Sequence, residues 1–144
     1  MKAINSMKLS FPSRSTNEGF ARVAVAAFAA QLDPTMEELN EIKTAVSEAV
    51  TNSIVHGYWD CVGTITVSGR IYPDQRLVLT IKDKGRGIED VEQAMEPLFT
   101  TGMPEERSGM GFTIMETFMD KLRVSSKPGS GTTVTFTKYI RSKG

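Results

Sequence analysis

Hydrophobic and polar positions change their period several times along the chain, and each change marks an element. Met7-Lys8-Leu9-Ser10-Phe11 alternates apolar with polar, as a half-buried strand does, and Pro12 ends it. Ser15 and Glu18 have the spacing of a capping box, which opens a helix reaching about Leu32. Within it Phe20, Val23, Ala24, Ala27 and Phe28 repeat as one helical face. Ala21, Val25, Ala26 and Ala29 spread apolar surface beyond that face, so the helix is expected to be covered twice, by its own core and by a partner.

Asp33-Pro34 and the box Thr35-Met36-Glu37-Glu38 start a longer helix that runs to Gly57. Its inward positions are Leu39, Ile42, Val46, Ala49, Val50 and Ser53. Residues 64–71 and 76–82 have period two or continuous apolar content and read as strands, joined by the turn Tyr72-Pro73-Asp74-Gln75. A short helix is expected over 88–95. Periodicity then disappears over 96–109, where Pro97, Gly102, Pro104 and Gly109 interrupt a charged stretch, and long patternless loops in compact domains are usually lids or disorder. Phe112, Met115, Phe118 and Met119 restore a helical stripe over 111–122. Strands follow at 122–126 and 132–140, around Lys127-Pro128-Gly129-Ser130-Gly131. The order predicts one α/β (α+β) domain over 1–144, a two-layer sandwich with a mixed β-sheet covered on one face by helices.

Composition narrows the function. At 144 residues and 40% hydrophobic content the chain can bury a core of one domain. Seventeen bases balance seventeen acids, so no basic excess points to nucleic acid as the main partner. The single cysteine, Cys61, allows no internal disulfide and fits a reducing compartment, where it reads as a small filler near a turn. No signal peptide is legible, and the most apolar window, 20–32, contains Arg22 and is too short to span a bilayer. A soluble, cytoplasmic protein without membrane contact is expected.

Candidate chemistry gathers at four places. Asp83-Lys84-Gly85-Arg86-Gly87 follows the strand 76–82, setting an acid where the strand gives way to a glycine loop. Glu48 and Asn52 lie on successive turns of the long helix, Asn52 at the border of its apolar stripe and Glu48 just outside it. An amide oxygen from Asn52 would suit magnesium, which keeps several waters, and Glu48 could accept a proton from an attacking hydroxyl. Taken alone, the pair would be an ordinary solvated helix face. Arg107-Ser108-Gly109-Met110-Gly111 stands at a helix start, where free amides favour phosphate and Arg107 adds a cation. Gly131-Thr132 begins a strand in which a threonine hydroxyl could bond beside a buried carboxylate.

In this order the motifs resemble the nucleotide site of the GHKL ATPases, the superfamily of gyrase, Hsp90, sensor histidine kinases and MutL with the Bergerat fold. That resemblance implies an ATP/ADP site in which Asp83 holds the adenine amino group, backed by Thr132. Asn52 would coordinate Mg²⁺, while Gly85, Gly87, Thr100, Ser108, Gly109, Met110 and Gly111 line the nucleotide under a lid at about 96–109. Residues 40–57, Pro97-Leu98-Phe99-Thr100-Thr101 and the string from Glu106 to Glu116 are similar to the anti-sigma F factors of spore-forming bacteria.

This closer resemblance implies a homodimeric serine kinase that binds a sporulation sigma factor and phosphorylates its anti-anti-sigma factor. Glu48 would be the catalytic base and Arg107 would assist at the γ-phosphate. Glu18 and Arg22 would face the partner, although the two are also an ordinary i,i+4 pair. Two other readings remain: a nucleotide-gated sequestering protein of the stress-response type, or a detached histidine-kinase ATPase module. His56 is unsuited as a phosphoacceptor, because it ends the nucleotide helix with no dimerising helical hairpin beside it, and it reads better as a helix-end histidine.

Overall fold

The computed structural model describes residues 1–95 and 111–141. Five strands form one sheet: β1 (Asn5–Pro12), β2 (Thr64–Ile71), β3 (Arg76–Asp83), β4 (Lys121–Lys127) and β5 (Gly131–Tyr139). Helices α1 (Thr16–Ala29) and α2 (Met36–Asn52) separate β1 from β2. The four-residue helix α3 (Val91–Ala94) and α4 (Gly111–Phe118) lie between β3 and β4. The spatial order is β1-β2-β3-β5-β4.

The two-layer sandwich is as expected, but each of the four ladders is antiparallel, which corrects the mixed sheet. The connections explain the difference. Two helices between β1 and β2 return the chain to the end it left, so β2 runs opposite to β1. Strands β3 and β4 do run the same way, as the helical connection predicts, but β5 is inserted between them. Its hairpin with β4 keeps every neighbour antiparallel.

Local signals set the element ends. Thr35 accepts from Glu38 N at 3.0 Å while Glu38 Oε1 accepts from Thr35 N at 2.9 Å, the reciprocal box expected there. The box expected at Ser15 does not form: Ser15 has helical backbone and its side chain caps nothing. Glu18 instead accepts from Ser47 Oγ on α2 at 2.5 Å and pairs with Arg22 at 3.4 Å. The turn Tyr72-Pro73-Asp74-Gln75 closes with Gln75 N donating to Tyr72 O, and Gln75 takes a left-handed φ of 68°. Strand β4 begins at Lys121, so the helix expected over 111–122 is shorter than its apolar stripe.

The core lies between the sheet and α1, α2 and α4, with Ile42, Val46, Val50, Leu79, Ile81, Phe136 and Met115 almost fully buried. The buried side of α1 is Ala21, Val25, Phe28 and Ala29, whereas Phe20 is 55% and Val23 63% exposed. The apolar stripe read from the sequence therefore points mostly out, with only Phe28 of it buried. Gly69 explains the rotation: Phe28 packs into the gap left by its missing side chain, where a methyl would lie 2.9 Å from the ring. Lys138, on β5, donates to Glu41 Oε1 on α2 at 3.0 Å and to Phe118 O at 2.7 Å. The last turn of α4 is thereby tied to both the sheet and α2.

Candidate functional site

Asp83 is the last residue of β3 and only 3% exposed, so its carboxylate has to be satisfied inside the protein. Oδ1 accepts from Gly85 N at 2.9 Å and Thr132 N at 3.2 Å, and Oδ2 accepts from Ser53 Oγ at 2.7 Å. Thr132 reaches Asp83 because the two are register partners across β3 and β5. Its amide makes that bond. Its hydroxyl meets Ser126 Oγ at 2.8 Å, so the hydroxyl contact to the carboxylate suggested by the sequence is replaced by a backbone one. Ser126 also donates to Gly131 O and accepts from Ile88 N, holding the loop after Asp83 against the β4–β5 turn.

Helix α2 continues into a single π-helical turn, Ser53–Gly57, closed by Tyr58 N donating to Ser53 O at 2.9 Å. Such wider turns occur often at functional sites. Here the turn brings Gly57 within 3.1 Å, for an added methyl, of the Asp83 carboxyl and lets Gly57 O accept from Arg86 N. The Tyr58 hydroxyl accepts from Lys84 N at 2.6 Å and donates to Thr64 O at 2.8 Å. Burial pushes its pKa up, helped by the Asp83 charge and opposed by the Lys84 amide, which keeps the phenol protonated as this bridge requires.

The glycines of the Asp83 loop face their own chain. A methyl at Gly85 would run into Gly57 O, one at Gly87 into Lys127 O, and one at Gly131 into Asp83 O. Gly87 and Gly131 also have positive φ, 77° and 97°. The loop is thus built by close backbone packing, and the expected close approach concerns protein first.

A cavity of about 550 Å³ opens beside Asp83. Asn52, Asp83, Gly87, Gly111 and Thr132 line it, as do Ser53, His56 and Arg86, which sequence reasoning did not place there. Gly85 and Glu48 are not among its lining residues. Glu48 nevertheless stands at one end: a methyl on Gly111 would lie 3.3 Å from both Glu48 Oε1 and Asn52 Nδ2. Missing side chain and helix start therefore meet the Glu48–Asn52 pair. Thr100, Arg107, Ser108, Gly109 and Met110, with the expected lid, lie outside the described residues.

No group of three or more His, Cys, Asp and Glu side chains able to hold a metal occurs among the described residues. Asn52 and Glu48 offer two oxygen-bearing groups at the cavity end. That sparse set fits Mg²⁺, which takes most of its ligands from water and phosphates. Glu18 and Arg22 sit away from the cavity on α1, paired with each other beside exposed Phe20 and Val23.

The model of the histidine kinase-like ATPase domain matches residues 11–138. The chain is 59% identical over 142 residues to the anti-sigma F factor of Thermoanaerobacter sp. (strain X514), covering 99% of each. It is 60% identical over 140 residues to that of Caldanaerobacter subterraneus subsp. tengcongensis, covering 97% of each. Over 137 residues it is 57% identical to that of Bacillus velezensis, covering 94% of this chain and 93% of the relative. Among solved structures, the RsbU and RsbW domains of Rv1364c from Mycobacterium tuberculosis superpose with a TM-score of 0.69 at 20% identity, over 94% of this chain and 32% of that one. The mycobacterial sensor histidine kinase MprB does so at 0.57 and 24% identity, over 72% of each chain. At such identities these two structures speak for the fold alone.

Proposed function

The chain belongs to the histidine kinase-like ATPase domain family and, within it, to the anti-sigma F factors, and from that premise we propose a Mg-ATP-dependent protein serine kinase that retains a sigma factor of the sigma F type and phosphorylates a serine of its anti-anti-sigma factor. The observation that carries this reading is the polarity of the cavity. At one end a buried carboxylate with three donors fixed upon it keeps one acceptor position, on Oδ2, for a further donor, which suits the adenine amino group. At the other end stand the Glu48–Asn52 pair and the first turn of α4, where backbone amides favour phosphate.

In this mechanism Asp83 orients the base and Asn52 contributes its amide oxygen to the magnesium site. Bound magnesium would supply charge neutralisation on the phosphates. Glu48 takes the proton from the substrate serine as its Oγ bonds to the γ-phosphorus and the bridging P–O bond breaks, releasing ADP. Arg107, with Thr100, Ser108, Gly109 and Met110, is assigned to the phosphates by family likeness. Glu18, Arg22 and the exposed apolar residues beside them form the proposed partner surface on a homodimer. Among the described residues no helix is long and apolar enough to cross a membrane, and we place the protein in the cytoplasm, where a sigma factor acts.

Retention of the sigma factor in the presence of ATP and of ADP tests the reading. Sigma binding that is lost in Arg22→Ala while ATP affinity is kept would support it. A chain that binds neither nucleotide nor sigma factor would overturn it.

A further inference from the structure

Apart from Asp83 and Lys138, which point into the protein, the strands carry their charge on one side. Their single acid is Asp83. Their outward positions hold Lys8 on β1, Arg70 on β2, Arg76 and Lys82 on β3, and Lys121, Arg123 and Lys127 on β4. Apart from Arg76, which reaches Asp74 at 3.8 Å, none of these forms an ion pair with a described residue. The opposite layer has the opposite sign: α1 and α2 carry Glu18, Glu37, Glu38, Glu41 and Glu48 against Arg22 and Lys43. A chain of zero net charge is therefore strongly polarised across its thickness.

Register fixes how the cations are spread. One row across the sheet is Lys8, Ser68, Thr80, Thr135 and Arg123, and the next is Ser10, Thr66, Lys82, Thr133 and Ser125. Five strands about 4.8 Å apart make a face about 19 Å wide. On it each cation but Lys127, which is opposite Gly131, has a hydroxyl-bearing residue as register partner, and none is opposite an acid. A solvated face normally mixes signs, because opposite charges on facing strands stabilise the pairing. This face forgoes those pairs and keeps its cations available.

We propose that the open face of the sheet docks an acidic protein surface, separately from the nucleotide cavity and from the α1 surface. Lysine and arginine supply the charge, and the serine and threonine hydroxyls between them donate to carboxylates spread over an area. Nucleic acid fits less well. A five-stranded face is too broad for a major groove about 12 Å wide, and its strands offer a base only the ring of Tyr139, at the corner where Arg76 already covers the neighbouring Tyr72 ring at 4.1 Å. The small area places the contact among transient, electrostatically steered complexes.

The experiment uses the full chain and three labelled probes: a poly-L-glutamate peptide, a duplex DNA oligonucleotide and phosphatidylserine vesicles. Binding is measured at low and physiological salt for wild type, for Lys8→Glu/Arg70→Glu/Arg123→Glu, for the milder glutamine set at the same positions, and for a charge-matched control reversing Lys2, Arg14 and Lys43. The proposal predicts peptide binding that weakens with salt and falls at least about tenfold in the face variants, with the control near wild type. It is overturned if the peptide does not bind, if the control loses as much as the face variants, or if DNA or vesicles bind through these residues more tightly than the peptide.

Discussion

Ser53 Oγ donates to Asp83 Oδ2 at 2.7 Å, and both residues are buried where α2 passes into its π-helical turn. With two backbone amides on Oδ1, this hydroxyl fixes the carboxylate plane and leaves a defined lone pair toward the cavity. Ser53→Ala should weaken ATP binding about tenfold, the scale of a lost hydrogen bond to a charged group. It should also reduce the preference for ATP over the triphosphate lacking the 6-amino group, which a general loss of packing would leave unchanged. Titration with both nucleotides checks this, and an unaltered preference would remove Ser53 from base positioning.

Gly87 and Gly129 have nearly the same φ, 77° and 80°, but different surroundings. A methyl at Gly87 runs into Lys127 O, whereas one at Gly129 meets nothing within 4 Å. Gly129→Ala should cost about 1 kcal/mol of backbone strain, and Gly87→Ala clearly more. Thermal unfolding of the two variants should rank them in that order.

Asn52→Ala should abolish the part of ATP affinity that depends on magnesium while leaving metal-free binding nearly intact. Titrations with magnesium and with chelator separate the two. Equal losses in both would contradict a metal role for Asn52.

Glu38 links the start of α2 to the chain end. Burial works to raise its pKa, but bonds from Arg141 N, Thr35 N and the Thr35 hydroxyl outweigh it, so the folded value is lowered. A carboxylate depressed in the folded state stabilises above its unfolded pKa of about 4.3, and that contribution is lost as pH falls through the folded value. Glu38→Gln should lower stability at neutral pH and flatten its decline below about pH 4. Denaturant melts across that range would show it.

Much of the site was legible because it depends on local rules. An acid at a strand end before glycines marked Asp83, helical spacing stacked Glu48 with Asn52, and the Thr35–Glu38 box formed as written. What was not legible depended on residues distant in sequence. Helix α1 is apolar nearly all round, so its period could not choose a face, and the choice was made by Phe28 seating against Gly69. Glycine reports that something is near without saying what, and at positions 85, 87 and 131 it is backbone. Ser53 read as a core position, and only the π-helical turn aims its hydroxyl at Asp83.

The most direct test of the account is phosphotransfer from γ-labelled ATP with Mg²⁺ to the anti-anti-sigma factor, with wild type beside Glu48→Gln. The account predicts label on a serine of the partner, reduced by about 10² or more in the variant while ATP affinity changes little. Transfer retained by Glu48→Gln would contradict the role of Glu48, and ATP binding without transfer by the wild type would contradict the kinase.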